Sequence, residues 1–234
     1  MIWFLDSEEP SLISLDSMPF DEWVRFVFHH PVDPMEEKQW FFSETINKYF
    51  VLDKAQLLRR ITTALKESQS LFASLSSEQI IQGLDCLEYG LDWPGLLLDE
   101  NEIPFSEKAE CLAAAEILYL NTFRNKAFET TAFMFWDILA YEFHLDPIGP
   151  KNASQVAVQE AMLEVLSRIL DMDHRICFVS ALHGLGHLHH PQGAETIRKA
   201  LSKRTDLLEG DLEYAENCIS GTMDSRPPMP QFPD

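Results

Sequence analysis

Hydrophobic positions recur with a helical period along almost the whole chain. Phe20, Trp23, Val24, Val27 and Phe28 fall at i, i+3, i+4, i+7 and i+8, which places them on one helix face. His29-His30-Pro31 ends that segment. Asp33, Pro34 and Glu36 then form a helix start signal: a capping side chain, a proline in the first turn and an acid at the positive end of the dipole. The next helix is expected to carry Trp40, Phe41, Ile46 and Phe50. Asp53 caps a third, with Leu57, Leu58, Ile61, Ala64 and Leu65 inward. Ser76 and Gln79 make a capping box for a helix with Ile80, Ile81, Leu84 and Leu87 inward, and Gly90 lies just past its end.

Residues 91–105 contain Pro94, Pro104 and Gly95 together with four acids, and they read as the longest loop. Ser106 is expected to cap the next helix, with Ala109, Leu112, Ala113, Ile117 and Leu120 inward. Residues 129–144 are apolar on nearly every side and should form a central helix. Pro147, Gly149 and Pro150 break the chain. Helices follow at 155–170, from Asp173 as cap through His189, at 192–203, and from about Leu208 to Ser220. The Pro-rich tail, 223–234, cannot hold a helix and is expected to be disordered. The fold class expected is all-α, with helices of about 12–18 residues joined by short turns as antiparallel neighbours. One all-helical domain is expected over 1–222, with an N-terminal helical part at 1–90.

The segment from Asp173 to Leu201 resembles a HEAT-type helical repeat. Asp173, Arg175, Ala181, Leu182, Leu185 and Gly186 stand where those repeats carry an Asp before the second helix, then Arg, Ala-Leu and a Leu-Gly pattern. Gln155 to Leu170 matches the preceding helix of the pair. The resemblance is best over 155–204 and extends loosely over 106–221. It implies an α-solenoid of stacked helix pairs, and HEAT-type proteins are mostly scaffolds and binding surfaces.

Composition narrows the function classes. The 234 residues include 38 acidic and 18 basic side chains, a net charge of -20. Too few Lys and Arg are present to neutralise a phosphate backbone or an anionic lipid surface, so nucleic-acid and membrane partners are not expected. The charge is uneven. Residues 1–150 hold 26 acids and 10 bases, 151–205 hold 5 and 7, and 206–234 hold 7 and 1. Two acidic flanks therefore enclose a near-neutral segment, and their field favours a basic protein partner. Cys86, Cys111, Cys177 and Cys218 are far apart and sit in helical patterns, which reads as buried thiols in a reducing compartment. Without a basic, apolar leader at the N-terminus, the expected location is the cytoplasm.

Three groups of residues carry candidate chemistry. Five of the eight histidines fall within 174–190. His183 and His187 are four apart, so they project from one helix face, and His190 is three further on, a spacing that can bind a transition metal. Gly184 and Gly186 between them suit a close helix–helix approach. Asp137 lies in the apolar run Phe133-Met-Phe-Trp-Asp-Ile-Leu and needs a partner there, with Arg124, Arg168 and Arg175 as candidates. Trp93 beside Pro94, with the acids Asp99, Glu100 and Glu102, offers an exposed aromatic anchor and negative charge for a protein partner. The acidic loop lacks the spacing of a calcium-binding loop. Phosphate-binding, nucleophile-elbow and dinucleotide motifs are absent, and no cofactor is expected. The function expected is a non-catalytic protein-binding module, an acidic immunity- or inhibitor-type protein masking a basic partner such as a toxin nuclease. The alternatives are a metal-binding protein or enzyme using the histidines of 174–190, and a structural adaptor.

Overall fold

A computed structural model describes residues 13–15, 17–32, 39–42, 49–50, 53–145 and 148–222. The start signal at Asp33, Ile46 and the Pro-rich tail lie outside them. Helix α1 (Phe20–Phe28) buries Trp23, Val24, Val27 and Phe28, the apolar face its spacing predicts. It crosses α4 (Ser77–Asp85) at Gly83, where a Cβ would lie 2.0 Å from the Phe28 ring, so only glycine admits that ring. The helix expected across Trp40, Phe41, Ile46 and Phe50 is not formed at its described ends. Trp40–Phe42 is a 3₁₀ turn, and Tyr49–Phe50 is a short strand, β2, parallel to β1 (Ile13–Ser14). Runs of adjacent aromatics favour extended backbone over a helix interior.

Helix α2 (Lys54–Lys66) starts at Asp53, whose carboxylate accepts from the Gln56 N–H at 2.8 Å. A short helix, α3 (Ser68–Leu71), follows it. Ser76 and Gln79 form the reciprocal capping box of α4, both bonds at 3.2 Å. The α-helix ends at Asp85 and the chain continues as a π-helical turn over Cys86–Gly90, so Gly90 closes that turn instead of lying just past the end of the helix. Residues 91–105 are not a long loop. They contain α5 (Trp93–Leu98), capped by Asp92, whose carboxylate accepts from the Gly95 N–H at 3.2 Å. Asp92 holds φ at 51°, the left-handed conformation that a short Asx side chain tolerates. Pro94 therefore sits in a first turn, where it has no N–H to waste, instead of breaking a helix.

Helix α6 (Phe105–Leu118) has Pro104 at its N-cap and begins two residues earlier than a Ser106 cap would place it, and it continues as a π-helical turn, Tyr119–Phe123. Helix α7 (Glu129–Leu139) ends at a 3₁₀ turn, Tyr141–Phe143. Asn152 caps α8 (Ala153–Leu170). Helix α9 (Arg175–Leu188) has His174, not Asp173, at its N-cap. Then come α10 (Gly193–Leu201) and α11 (Glu209–Ser220). The described chain is thus all-α apart from one two-residue strand pair. No helix among the described residues is long and apolar enough to cross a membrane.

Helix α9 lies at the centre. Every residue from Ile176 to Leu188 is buried, against α7, α8, α10 and α11. Tyr119 ties the layers together, its hydroxyl donating to the Ala132 carbonyl at 2.7 Å and meeting Ser180 Oγ at 2.5 Å. Helix α11 is docked by a buried ion pair. Asp211, 1% exposed, takes both guanidinium bonds of Arg175, at 2.7 and 3.2 Å.

Candidate metal centre

Two of the sequence candidates prove to be one site. Asp137 projects from α7, and His183 and His187 project one turn apart from α9. The donor atoms of the three all lie within 4.8 Å of one another. Gly184 allows this convergence. A Cβ there would lie 2.7 Å from both Trp136 Cγ and Leu166 Cδ2, so the bare backbone lets α9 press against α7 beside Asp137. Of the arginines expected to neutralise Asp137, Arg168 is instead on Glu116 at 2.6 Å and Arg175 on Asp211.

Within the cluster, Asp137 Oδ1 is in ion-pair contact with His183 Nε2 and lies 3.3 Å from His187 Nε2. Neither Asp137 Oδ1 nor His183 Nε2, both shielded from solvent, meets hydrogen-bond geometry with any group. They are close but not aligned as donor and acceptor. A carboxylate and an imidazole in such contact form a charge-assisted pair, and the His187 nitrogen beside them makes the three a candidate donor set for one cation. The far nitrogen of His183, Nδ1, is hydrogen-bonded to the Tyr214 hydroxyl from α11. The Phe133 ring stacks on His183 at 3.9 Å, and the His187 ring stands perpendicular to it at 4.6 Å. The His183 ring is thus held by two ring contacts and at its outer nitrogen, the kind of support that metal-ligating histidines receive. His144 reaches the rim, its ring 4.9 Å from that of His187, and its Nδ1 is buried without a hydrogen-bond partner.

His190 does not join. Helix α9 ends at Leu188, and its C-cap His189 turns left-handed at φ 49°, which carries His190 away from the face of His183 and His187. His190 Nδ1 then accepts from the Gln192 N–H at 3.1 Å, leaving its Nε2–H to face Glu160 at 3.1 Å. Both nitrogens are engaged locally, and His190 lies outside the group of converging donors. The four cysteines are free and buried, and burial pushes the thiols of Cys111 and Cys218 up to about 12 and that of Cys177 to about 11. None offers a thiolate at neutral pH.

The proposed partner-binding residues are engaged internally. Trp93 is fully buried and packs edge-on against Phe135 at 5.5 Å. Its position at the start of α5, rather than in a loop, turns the ring into the core and removes it as an exposed anchor. Asp99 accepts from the Glu102 and Asn101 N–H groups at 2.6 and 3.0 Å and pairs with Lys54 at 3.0 Å. The Glu102 bond, Lys54 and the Asn101 bond, in that order, pull its carboxyl down to about 2 against the opposing effect of burial. Glu102 also reaches Lys54, at 3.4 Å, Glu100 accepts from Asn152 at 2.5 Å, and the buried amine of Lys108 donates to the Asp99 carbonyl. Comparison with protein-family models, curated proteins and solved structures finds no match to this chain.

Proposed function

We propose that this protein binds a divalent transition-metal ion between α7 and α9 through Asp137, His183 and His187. The observation that carries the reading is the convergence of three donor atoms, from Asp137 on α7 and His183 and His187 on α9, within 4.8 Å of one another. Two imidazoles and a carboxylate suit zinc, iron(II), cobalt(II) or nickel(II). They suit calcium, which takes six to eight oxygens, poorly, and they lack the soft sulfur that copper(I) prefers. Three protein ligands leave coordination positions for water or a substrate, as in catalytic rather than structural zinc sites. Asp137, with 21% of its side chain exposed, gives the site an opening. Elemental analysis and zinc titration of the wild type and of a His183→Ala/His187→Ala variant test the reading. Binding of about one ion that the variant loses supports it. Identical behaviour of the two proteins ends it.

A second reading, an acidic immunity- or inhibitor-type module for a basic protein, draws on α11. That helix turns Glu209, Glu213 and Glu216 to solvent, beside the half-exposed Leu212. A partner held by this face would be released by salt and by reversing those three charges. For the architecture we propose HEAT-like stacking confined to α8–α11, where each helix packs on its successor in sequence.

A further inference from the structure

We infer that His144 is a fourth protein ligand of the ion held between α7 and α9, taking one of the coordination positions that Asp137, His183 and His187 leave open. The inference rests on the metal reading above and adds a residue to it. His144 lies seven residues after Asp137 and directly follows the 3₁₀ turn Tyr141–Phe143. That turn packs on both α7 and α9, and its Phe143 is fully buried. The imidazole that follows is thereby held beside the last turn of α9, its ring centre 4.9 Å from that of His187.

Two observations set this ring apart from a packing neighbour. The first is its spacing. Imidazoles bound at about 2 Å to one tetrahedral ion hold their ring centres about 5 Å apart. The rings of His183 and His187 stand 4.6 Å apart and those of His144 and His187 4.9 Å apart, so two imidazoles lie at that distance from His187. The second is a nitrogen without a bond. His144 Nδ1 is shielded from solvent and has no hydrogen-bond partner, an arrangement that buried polar atoms rarely keep. His190, by contrast, has both nitrogens engaged locally. His144 stands outside the three donors that already lie within 4.8 Å of one another. It joins them by rotation of its own half-buried side chain, with the α7/α9 crossing unchanged. Four protein ligands close the site around zinc, whereas an ion of higher coordination number keeps a position for water or a substrate.

Metal titration of the full chain, wild type against His144→Ala and His144→Phe, tests the inference. Zinc affinity is read by competition with a chromophoric chelator, and the coordination sphere by the visible absorption bands of cobalt(II) bound in place of zinc. The phenylalanine variant keeps a ring for packing and removes the nitrogens, which separates ligation from support. Both variants should bind zinc at least about tenfold more weakly than wild type, with shifted cobalt bands, and free imidazole should restore the wild-type bands in His144→Ala. Variants that match wild type in zinc affinity and cobalt bands overturn the inference and leave the three-ligand centre standing. So does a His144→Phe protein that binds like wild type when His144→Ala does not, because the ring then serves packing alone. A wild-type chain that takes up neither ion overturns the metal reading itself, and this inference with it.

Discussion

The turn after α5 and the crossing of α7 on α9 both gather charged or titratable side chains, and they differ in what those side chains do. In the turn, Asp99, Glu100 and Glu102 each meet a donor from the same molecule, so the acids serve the fold. At the crossing, Asp137 and two histidines converge from two helices and leave shielded polar atoms without a hydrogen bond. Charge density alone does not mark a binding site. What sets the crossing apart is that its donor atoms converge on one another, and the metal proposal rests on that convergence.

The strongest way to break this contrast is to disturb the support of the crossing. Arg175→Ala leaves Asp211 buried and uncompensated, and should cost about 3 kcal/mol by chemical denaturation. It also loosens α11, which carries Tyr214 onto His183. Gly184→Ala forces a methyl into Trp136 and Leu166 and should cost about 2 kcal/mol, with weakened zinc binding because α7 and α9 are driven apart. Full stability in that variant would show that the helices are not held at contact. Tyr214→Phe removes only the hydroxyl on His183 Nδ1. It should lower zinc affinity about tenfold in a competition titration while leaving the fold intact.

The smallest effect belongs to the turn. Asp99→Ala should cost about 1 kcal/mol, chiefly the lost bonds to backbone N–H groups, and should leave zinc affinity unchanged. Its pH dependence has a defined sign. The Asp99 carboxyl is depressed to about 2, so its stabilisation is present above the ordinary carboxylate range and drains away as pH falls toward 2. The stability gap between wild type and Asp99→Ala, followed by thermal melts, should therefore close between about pH 4 and pH 2. A gap that stays open at pH 2 would contradict the assignment.

How much of this was legible in the sequence follows from the range of the interactions. The apolar stripe of α1, the cap at Asp53 and the capping box at Ser76 are local patterns, and all appear in the structure. Helix α5 was hidden because Pro94 and Gly95 read as breakers. In fact Pro94 fits a first turn, and Gly95 makes room for the capping carboxylate of Asp92, which a Cβ would meet at 2.2 Å. The same two residues make Trp93 read as a loop residue, whereas the first turn of α5 carries its ring into the core. The metal candidates were visible as residues but not as a set. His183 and His187 are related by helix geometry, whereas Asp137 joins them only by a tertiary crossing. Gly184, one residue from His183, was the local sign of that crossing. His190 is near them in sequence, but the left-handed turn at His189 sends it elsewhere, which nearness in sequence does not reveal.

Zinc titration of three proteins puts the contrast to its most direct test: wild type, Asp137→Asn, and an Asp99→Asn/Glu100→Gln/Glu102→Gln variant of the turn. The turn variant should bind zinc as wild type does, although it has lost three negative charges, while Asp137→Asn should bind more than about 100-fold more weakly. Equal affinities in all three proteins, or loss of zinc from the turn variant alone, would contradict the assignment of the α7/α9 crossing as the metal site.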